Sequence, residues 1–227
     1  MTNALTPSLG PADSRRAKLL ALCGLAGALV FGLLPIAHWI APGTSMPAML
    51  AREGVWWCFA LAVLVWLRFV ERLPLSSIGF RRPTWKSVAF GVLAAVLLTA
   101  VFILQSAVIV PIFHLHQDVA AAVREKILHD PLWYRVLLVL RAAVVEEILF
   151  RGYLIEKVRQ LSGSTVLAVM VSVAAFTYAH LSGWGIVHLI PVAAGGIIFA
   201  LLYVWRQDLP SNMLGHFLVD AIGFLGR

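Results

Sequence analysis

The stretch 144-VVEEILFRG-152 places two adjacent glutamates and an arginine inside a run that otherwise has the composition of a membrane helix. An ionised side chain at the centre of a bilayer costs about 2.5–3.5 kcal/mol on insertion scales. Charges inside a membrane therefore normally face the interior of a helix bundle or a wet cavity, where they serve a function. The stretch predicts that the chain folds around a polar interior.

The composition of the 227-residue chain is that of an integral membrane protein. It is 61% hydrophobic and only 13% charged, whereas a soluble domain carries about 25% charged residues. The net charge of +7 does not indicate nucleic acid as a partner, because the basic residues are scattered between apolar runs. Cys23 and Cys58 lie in apolar runs without a CxxC motif, so neither a thiolate metal site nor a disulfide framework is indicated.

We predict an all-α, polytopic membrane helix bundle of about seven transmembrane helices around a polar intramembrane chamber. A spanning helix needs about 20 mostly apolar residues. The candidate spans are 19–40, 54–70, 87–113, 132–155, 165–181, 186–205 and 212–225. The expected organisation is an N-terminal tail over residues 1–18 and a single integral membrane domain over residues 19–227.

The charges of the loops predict the orientation of the chain. The tail and the loops after the second, fourth and sixth spans are basic, whereas the opposite loops are neutral or acidic. Because cytoplasmic loops carry an excess of Lys and Arg, we expect the N-terminus in the cytoplasm and the C-terminus on the far side. Residues 71–85 should lie along the cytoplasmic surface, and residues 118–129 should form a short interfacial helix on the far side.

Within the fourth span, Glu147 and Arg151 are four residues apart, so they share one face of an α-helix and can pair. Glu146 lies about 100° away on a helix with 3.6 residues per turn, and it cannot use the same geometry with Arg151. This leaves a carboxylate that is free to act as a general base. The alternative is a salt-bridged cluster that only fixes helix packing, but a buried ion pair contributes little stability.

Two later spans carry titratable side chains at helical spacing. In 176-FTYAH-180, His180 shares a face with Phe176, although a single histidine near the end of a span is often only hydrogen-bonded or snorkelling. In 216-HFLVD-220, Asp220 can accept from one imidazole nitrogen of His216 and leave the other nitrogen facing a site. The alternative is a polar pair that holds two helices together.

The acidic residues and histidines of these three spans can converge on one chamber. A glutamate with two histidines is typical of hydrolytic sites that activate water, with or without a metal ion. Two other functions would use the same residues: a proton-coupled transporter, or a non-catalytic immunity or scaffold membrane protein with a polar core. The chain shows no internal repeat of the kind common in transporters, and seven spans are few for a carrier.

The three motifs together resemble the signature of the CAAX-protease and bacteriocin-processing (CPBP, or Abi) intramembrane proteases. That signature is EExxxR, then FxxxH, then HxxxN or HxxxD, on separate spans. The matching stretches are 146-EEILFR-151, 176-FTYAH-180 and 216-HFLVD-220, in that order. The resemblance covers residues 132–225, the expected catalytic core, and 78-IGFRRP-83 is similar to a family feature upstream of it.

The resemblance implies an intramembrane endopeptidase in a prokaryotic cytoplasmic membrane. Its partners would be the lipid bilayer and a membrane-embedded or lipidated peptide or protein, such as a prenylated CAAX-type C-terminus or a C-terminal sorting tail. Carried over to this chain, Glu146 activates the attacking water, and His180 helps to hold or polarise that water.

The resemblance also assigns supporting roles. Glu147 and Arg151 are the paired supports of the first motif, while His216 and Asp220 stabilise the oxyanion that forms during acyl transfer. Where the signature has Asn, the amide donates a hydrogen bond directly. Asp220 can do so only when protonated, so orientation of His216 suits the aspartate better.

Metal use stays open at this point. The family is often described as metalloproteases, and Glu146, His180 and His216 would supply three zinc ligands with water in the fourth position. A metal-free glutamate mechanism accounts for the same residues, and the chain has no HExxH motif. We expect that no cofactor is required.

The predicted spans create one geometric difficulty. Glu146 lies in the middle of its span, His180 near the outer end of the fifth span, and His216 near the inner end of the seventh. A common site therefore requires different boundaries for the fifth or seventh span, strong tilts, or a broken helix near 183-GWG-185.

Overall fold

A computed structural model describes residues 11–226, and all regular secondary structure in this range is helical. The α-helices are α1 (Pro11–Leu33), α2 (Ile36–Ile40), α3 (Met46–Val65), α4 (Trp85–Leu104), α5 (Val110–Ile112), α6 (Asp118–His129), α7 (Leu132–Arg141), α8 (Ile155–Ser162), α9 (Thr165–Trp184), α10 (Leu189–Arg206) and α11 (Leu209–Phe224). A short 3₁₀ helix covers Leu75–Ile78. The predicted fold class, a polytopic bundle of helices, is confirmed.

Several of these helices are joined or extended by π-helical segments, in which backbone hydrogen bonds connect residues five apart. Trp66–Val70 extends α3, Gln105–Ile109 joins α4 to α5, and Ala142–Leu154 joins α7 to α8. The last segment has 13 residues, whereas most π-helices are single turns and are frequent at functional sites. A continuous helix therefore runs from Leu132 to Ser162, and its widened middle contains the EEILFR motif.

Among the described residues, five segments are long and apolar enough to cross a membrane. They are Arg15–Leu33, Met46–Val70, Trp85–Ile112, Thr165–Trp184 and Leu189–Arg206. The fourth predicted span does not meet this criterion because it carries several ionised side chains, and the seventh does not because α11 has only 16 residues. Both of these helices pack within the bundle, and the count of about seven spans stays a prediction.

The observed boundaries remove the geometric difficulty that the predicted spans created. Residues 1–10 of the predicted tail lie outside the described range, and α1 already begins at Pro11. The fifth span continues to Trp184 instead of ending at residue 181, so another helical turn follows His180. α11 begins at Leu209 instead of residue 212, which moves His216 to the middle of its helix.

The π-helical segment Ala142–Leu154 lies at the centre of the bundle. It packs against α1, α3, α9, α10 and α11. Its side chains include Val145, Ile148, Leu149 and Tyr153, all of which are buried in the main hydrophobic core. The ionised residues of the segment are thus surrounded by apolar packing and have few routes to solvent.

Contacts at one end of the bundle bring three basic loops together. Glu71, after the second predicted span, forms a buried ion pair with Lys157, after the fourth. The Glu71 carboxylate also accepts from the hydroxyl of Tyr153 at 2.7 Å. The N–H of Leu209, after the sixth span, donates to the carbonyl oxygen of Gly79 at 2.9 Å. The three loops therefore share one end of the molecule, as their charges predict.

The opposite end is closed by α6, whose bounds are those predicted for the interfacial helix. Nε of Arg124 on α6 donates to the carbonyl oxygen of Gly223 at 3.2 Å. Nη1 of Arg135 donates to the carbonyl oxygen of Phe224 at 2.8 Å. These bonds place the C-terminal end of α11 beside α6 and the start of α7, away from the basic loops.

The helices α4 and α11 meet backbone to backbone. A Cβ atom at Gly215 would lie 2.9 Å from the carbonyl oxygen of Gly91, and a Cβ at Gly91 would lie 2.8 Å from the carbonyl oxygen of Ser211. Both distances are shorter than a real Cβ contact. Since His216 directly follows Gly215, this close approach sets how deeply His216 sits in the bundle.

We expect Gly215→Ala to destabilise the protein, because the added methyl group must push α11 away from α4. Overpacking of this kind costs about 1–3 kcal/mol. The matched control is Gly223→Ala in the same helix, where a Cβ has nothing within 4 Å and alanine favours the helix by up to about 1 kcal/mol. Thermal unfolding in detergent should give a lower midpoint for Gly215→Ala only. A midpoint at or above the wild-type value would contradict the close contact.

Candidate active site

A cavity of about 770 Å³ lies between α4, α6, α7, α9, α10 and α11. Most of its lining is apolar, with Leu98, Phe102 and Val192 among the residues. Of the six predicted site residues, Glu146, His180, His216 and Asp220 line this cavity, and Glu147 and Arg151 do not. The candidate residues thus form two layers, one facing the cavity and one behind it.

Glu146 and His180 lie next to each other on the wall of the cavity. Oε2 of Glu146 is buried, has no hydrogen-bond partner, and lies 3.8 Å from Nε2 of His180. This separation is too long for a direct hydrogen bond but short enough for one water molecule to bridge the two atoms. An unpartnered buried carboxylate oxygen at a cavity wall is free to accept a hydrogen bond from a water molecule.

The tautomer of His180 follows from its other nitrogen. Nδ1 of His180 lies 2.8 Å from the carbonyl oxygen of Phe176, one turn earlier in α9. A carbonyl oxygen only accepts, so Nδ1 must carry the proton. In the neutral imidazole, Nε2 is then an acceptor with its lone pair directed towards Glu146.

Glu146 is not free of cationic partners, which corrects the expectation from the sequence. Nη1 of Arg141 donates to Oε1 of Glu146 at 2.7 Å. Nε of the same guanidinium donates to Oε2 of Glu53, on α3, at 3.0 Å. Oε1 of Glu146 is thus held by Arg141, while Oε2 has no hydrogen-bond partner and is free to bind water.

The π-helical backbone explains why the sequence did not reveal Arg141. On an ideal α-helix, residues five apart lie about 140° apart around the axis, which places Arg141 and Glu146 on different faces. In a π-helix the i to i+5 spacing brings such residues together. Arg141 immediately precedes the segment Ala142–Leu154, so the pair forms where the helix widens. A pairing search at five-residue spacing would have found it.

The pair predicted between Glu147 and Arg151 is present and fully buried. Oε1 of Glu147 lies 3.0 Å from Nη1 of Arg151, and neither side chain has any solvent exposure. The guanidinium lies 4.0 Å from the ring centre of Phe176 and 5.6 Å from that of Phe199. Aromatic faces attract a desolvated cation, so the motif phenylalanine of α9 helps to hold Arg151.

His216 has a carboxylate on each side instead of the single aspartate expected from the sequence. Nδ1 of His216 donates to Oε1 of Glu147 at 2.9 Å, while Nε2 lies 3.6 Å from Oδ2 of Asp220. The imidazole also stacks on Phe199, with 5.6 Å between ring centres. Glu147 therefore orients His216, and Asp220 lies beside the nitrogen that faces the cavity.

Asn212 is a further site residue that sequence reasoning did not single out. Its Nδ2 donates to Oε2 of Glu147 at 3.2 Å and to the carbonyl oxygen of Phe199 at 2.7 Å. Arg151 and His216 both contact Oε1 of Glu147, and Asn212 contacts Oε2, so both oxygens have partners. The sequence offers little reason to select Asn212, because it is the first residue of the predicted seventh span. In the structure α11 begins three residues earlier, and Asn212 lies inside its first turn.

The proposed zinc ligands do not form a ligand set in this arrangement. Among the described residues, no group of three or more His, Cys, Asp and Glu side chains is placed to hold a metal ion. Glu146 approaches His180 at 3.8 Å, while His216 has Nδ1 bonded to Glu147 and Nε2 3.6 Å from Oδ2 of Asp220.

Comparison with known proteins connects this geometry to a family. Residues 128–222 match the family model described as Type II CAAX prenyl endopeptidase Rce1-like. No curated protein and no solved structure matches the chain. The matched segment contains all three motifs, the widened helix and the polar residues described above for the candidate site, with the exception of Glu53. Over residues 128–222 this chain is similar to the Rce1-like CAAX prenyl endopeptidases, the protease group that its motifs resemble.

Proposed function

We propose that this protein is an intramembrane endopeptidase in which Glu146 activates water to hydrolyse a peptide bond of a membrane-associated substrate. One observation carries the proposal: the unpartnered Oε2 of Glu146 faces Nε2 of His180 at 3.8 Å on the wall of a largely apolar cavity. The similarity of residues 128–222 to the Rce1-like endopeptidases supports peptidase activity in general.

The nucleophile is a water molecule bound between Glu146 and His180. Both facing atoms are acceptors, so the water donates one hydrogen to Oε2 of Glu146 and the other to Nε2 of His180. Its oxygen lone pairs then point away from both residues, towards the cavity. As the oxygen attacks the scissile carbonyl carbon, Glu146 takes up a proton as general base.

Collapse of the tetrahedral intermediate completes the reaction. Glu146 returns the proton to the leaving amide nitrogen, the C–N bond breaks, and the products are a carboxylic acid and an amine. The acid then passes its proton to the amine, which leaves a carboxylate and an ammonium group. His216 in its protonated form, with a carboxylate beside each ring nitrogen, donates from Nδ1 to Glu147 and presents Nε2–H to the oxyanion. In this role Asp220 attracts the positive charge of His216 and needs no proton of its own.

The cavity suits a substrate with an apolar portion beside the scissile bond. Apolar residues from each of the surrounding helices line it, together with the titratable side chains of Glu146, His180, His216 and Asp220. A prenylated CAAX-type C-terminus and a membrane-embedded C-terminal sorting tail both combine an apolar anchor with a peptide. We propose this class of substrate on that ground.

We expect Glu146→Gln to lower cleavage by about 10²–10⁴-fold, the usual contribution of a general base. The variant should still fold, because the amide keeps the size of the side chain and Arg141 keeps its bond to Glu53. Purified protein would be assayed with quenched fluorescent peptides, with and without prenyl groups. Asp118→Asn, the same chemical change on the exposed first turn of α6, is the matched control.

Normal cleavage by Glu146→Gln would remove Glu146 from the role of base. A wild-type enzyme that cleaves none of the peptides would favour a non-catalytic immunity or scaffold protein. Uptake of protons or solutes into vesicles, lost in Glu146→Gln, would favour a transporter. Preference for prenylated peptides over unmodified ones would support the CAAX-type substrate against the sorting tail.

We propose that catalysis needs no metal, since the described residues include no group of three or more His, Cys, Asp and Glu side chains placed to hold one. Purified enzyme should contain metal well below one equivalent, and activity should survive chelation. Metal content by mass spectrometry and cleavage before and after chelator treatment measure this directly. Stoichiometric zinc, with activity lost on chelation and restored by added zinc, would instead make Glu146, His180 and His216 a ligand set.

We propose a prokaryotic cytoplasmic membrane as the location, with the N-terminus in the cytoplasm. The support is that the basic loops meet at one end of the bundle while α6 and the end of α11 lie at the other. Alkaline phosphatase, active only outside the cytoplasm, should be active when fused at the C-terminus and inactive at the N-terminus. The reverse pattern would invert the orientation.

A further inference from the structure

Glu53 on α3 is a buried carboxylate that the proposed reaction has not used so far. Its side chain is only 6% exposed, and it lies far outside the matched segment 128–222. Leaving a buried charge unpaired in an apolar helix is costly. Oε2 of Glu53 is compensated by Nε of Arg141 at 3.0 Å, and the hydroxyl of Tyr134 lies 3.5 Å from Oε1.

Arg141 connects Glu53 to the proposed base through two different nitrogens. Nε donates to Glu53, and Nη1 donates to Glu146. Because the guanidinium is planar and rigid, fixing one edge fixes the direction of the other. The guanidinium carbon also lies 5.8 Å from the ring centre of Trp56, one turn after Glu53 on α3. α3 therefore determines where Arg141 points.

We propose that Glu53 is a positioning residue of the peptidase, anchoring Arg141 so that Arg141 holds Oε1 of Glu146 and leaves Oε2 facing His180. This inference rests on the proposed function. A glutamate has three rotatable side-chain bonds, and Glu146 has one firm contact, to Arg141. Without the anchor, Arg141 is free to turn in its pocket, and Glu146 turns with it.

A merely structural ion pair would behave differently, and the chain offers one for comparison. Glu71 and Lys157 form an ion pair that is as well buried as Glu53 and Arg141, at the basic end of the bundle and away from the cavity. Removing one partner of such a pair destabilises a fold because the other charge is left unpaired. Removing one partner of the pair of Glu71 with Lys157 should not change the kcat of the molecules that remain folded.

The test compares Glu53→Gln, Arg141→Lys and Glu71→Gln in the full chain, with kcat and KM determined per folded molecule. A misplacement of about 1 Å in a catalytic group costs up to about 100-fold in rate. Glu53→Gln should therefore lower kcat about 10- to 100-fold with KM almost unchanged. Arg141→Lys should do the same, because one ammonium group cannot replace two nitrogens that donate in different directions. Glu71→Gln should lower the folded yield and leave kcat unchanged.

A wild-type kcat in folded Glu53→Gln overturns the inference, and so does a kcat loss of equal size in Glu71→Gln. If Glu53→Gln yields no folded protein, Arg141→Lys decides, and a wild-type kcat in that variant has the same meaning. Glu146→Gln is assayed in parallel to separate the two proposals. Full activity of Glu146→Gln overturns both, whereas an inactive Glu146→Gln beside a normal Glu53→Gln overturns the positioning role alone.

Discussion

The structure depends on one constraint: the ionised side chains in the middle of the helix Leu132–Ser162 need opposite charges inside the bundle. A buried charge without a partner is far more costly than a paired one. Arg141 is paired with Glu53 and Glu146, Glu147 with Arg151, and Lys157 with Glu71. Two of these partners come from α3 and from the loop that follows it. The pairs thus tie the N-terminal half of the chain to the helix that carries the proposed base.

The widened helix is the means by which this constraint is met. An α-helical backbone places residues three and four apart on one face, which serves Glu147 and Arg151. Glu146 needs a cation on another face, and the π-helical segment supplies it by bringing the residue five positions earlier into reach. The same stretch of helix therefore carries two ion pairs on different faces. The pair of Glu147 with Arg151 faces the core, and the pair of Glu146 with Arg141 lies on the side of the cavity.

Much of this architecture was predictable from the sequence, because hydropathy and charge act locally. Helical class, the bounds of α6 and the pair between Glu147 and Arg151 each follow from short-range patterns. Arg141 could not be assigned to Glu146 from the sequence because a helix with 3.6 residues per turn places the two side chains on different faces. Glu53 was missed because its partner lies 88 positions away, and no local pattern encodes such a contact. The span boundaries near His180 and His216 were displaced because the ends of apolar runs do not mark the ends of helices.

The adjacent glutamates show how a fold assigns different chemistry to identical residues. Glu147 has partners on both oxygens, from Arg151, His216 and Asn212, and it is fully buried. Both oxygens of that carboxylate are already engaged as acceptors inside the bundle. Glu146 has one oxygen held by Arg141 and the other facing the cavity. Such a carboxylate can take up and release a proton at Oε2 while Oε1 keeps it in place. The same fixed partner that makes burial tolerable also fixes the direction of the free oxygen, as the proposed role of Glu146 as base requires.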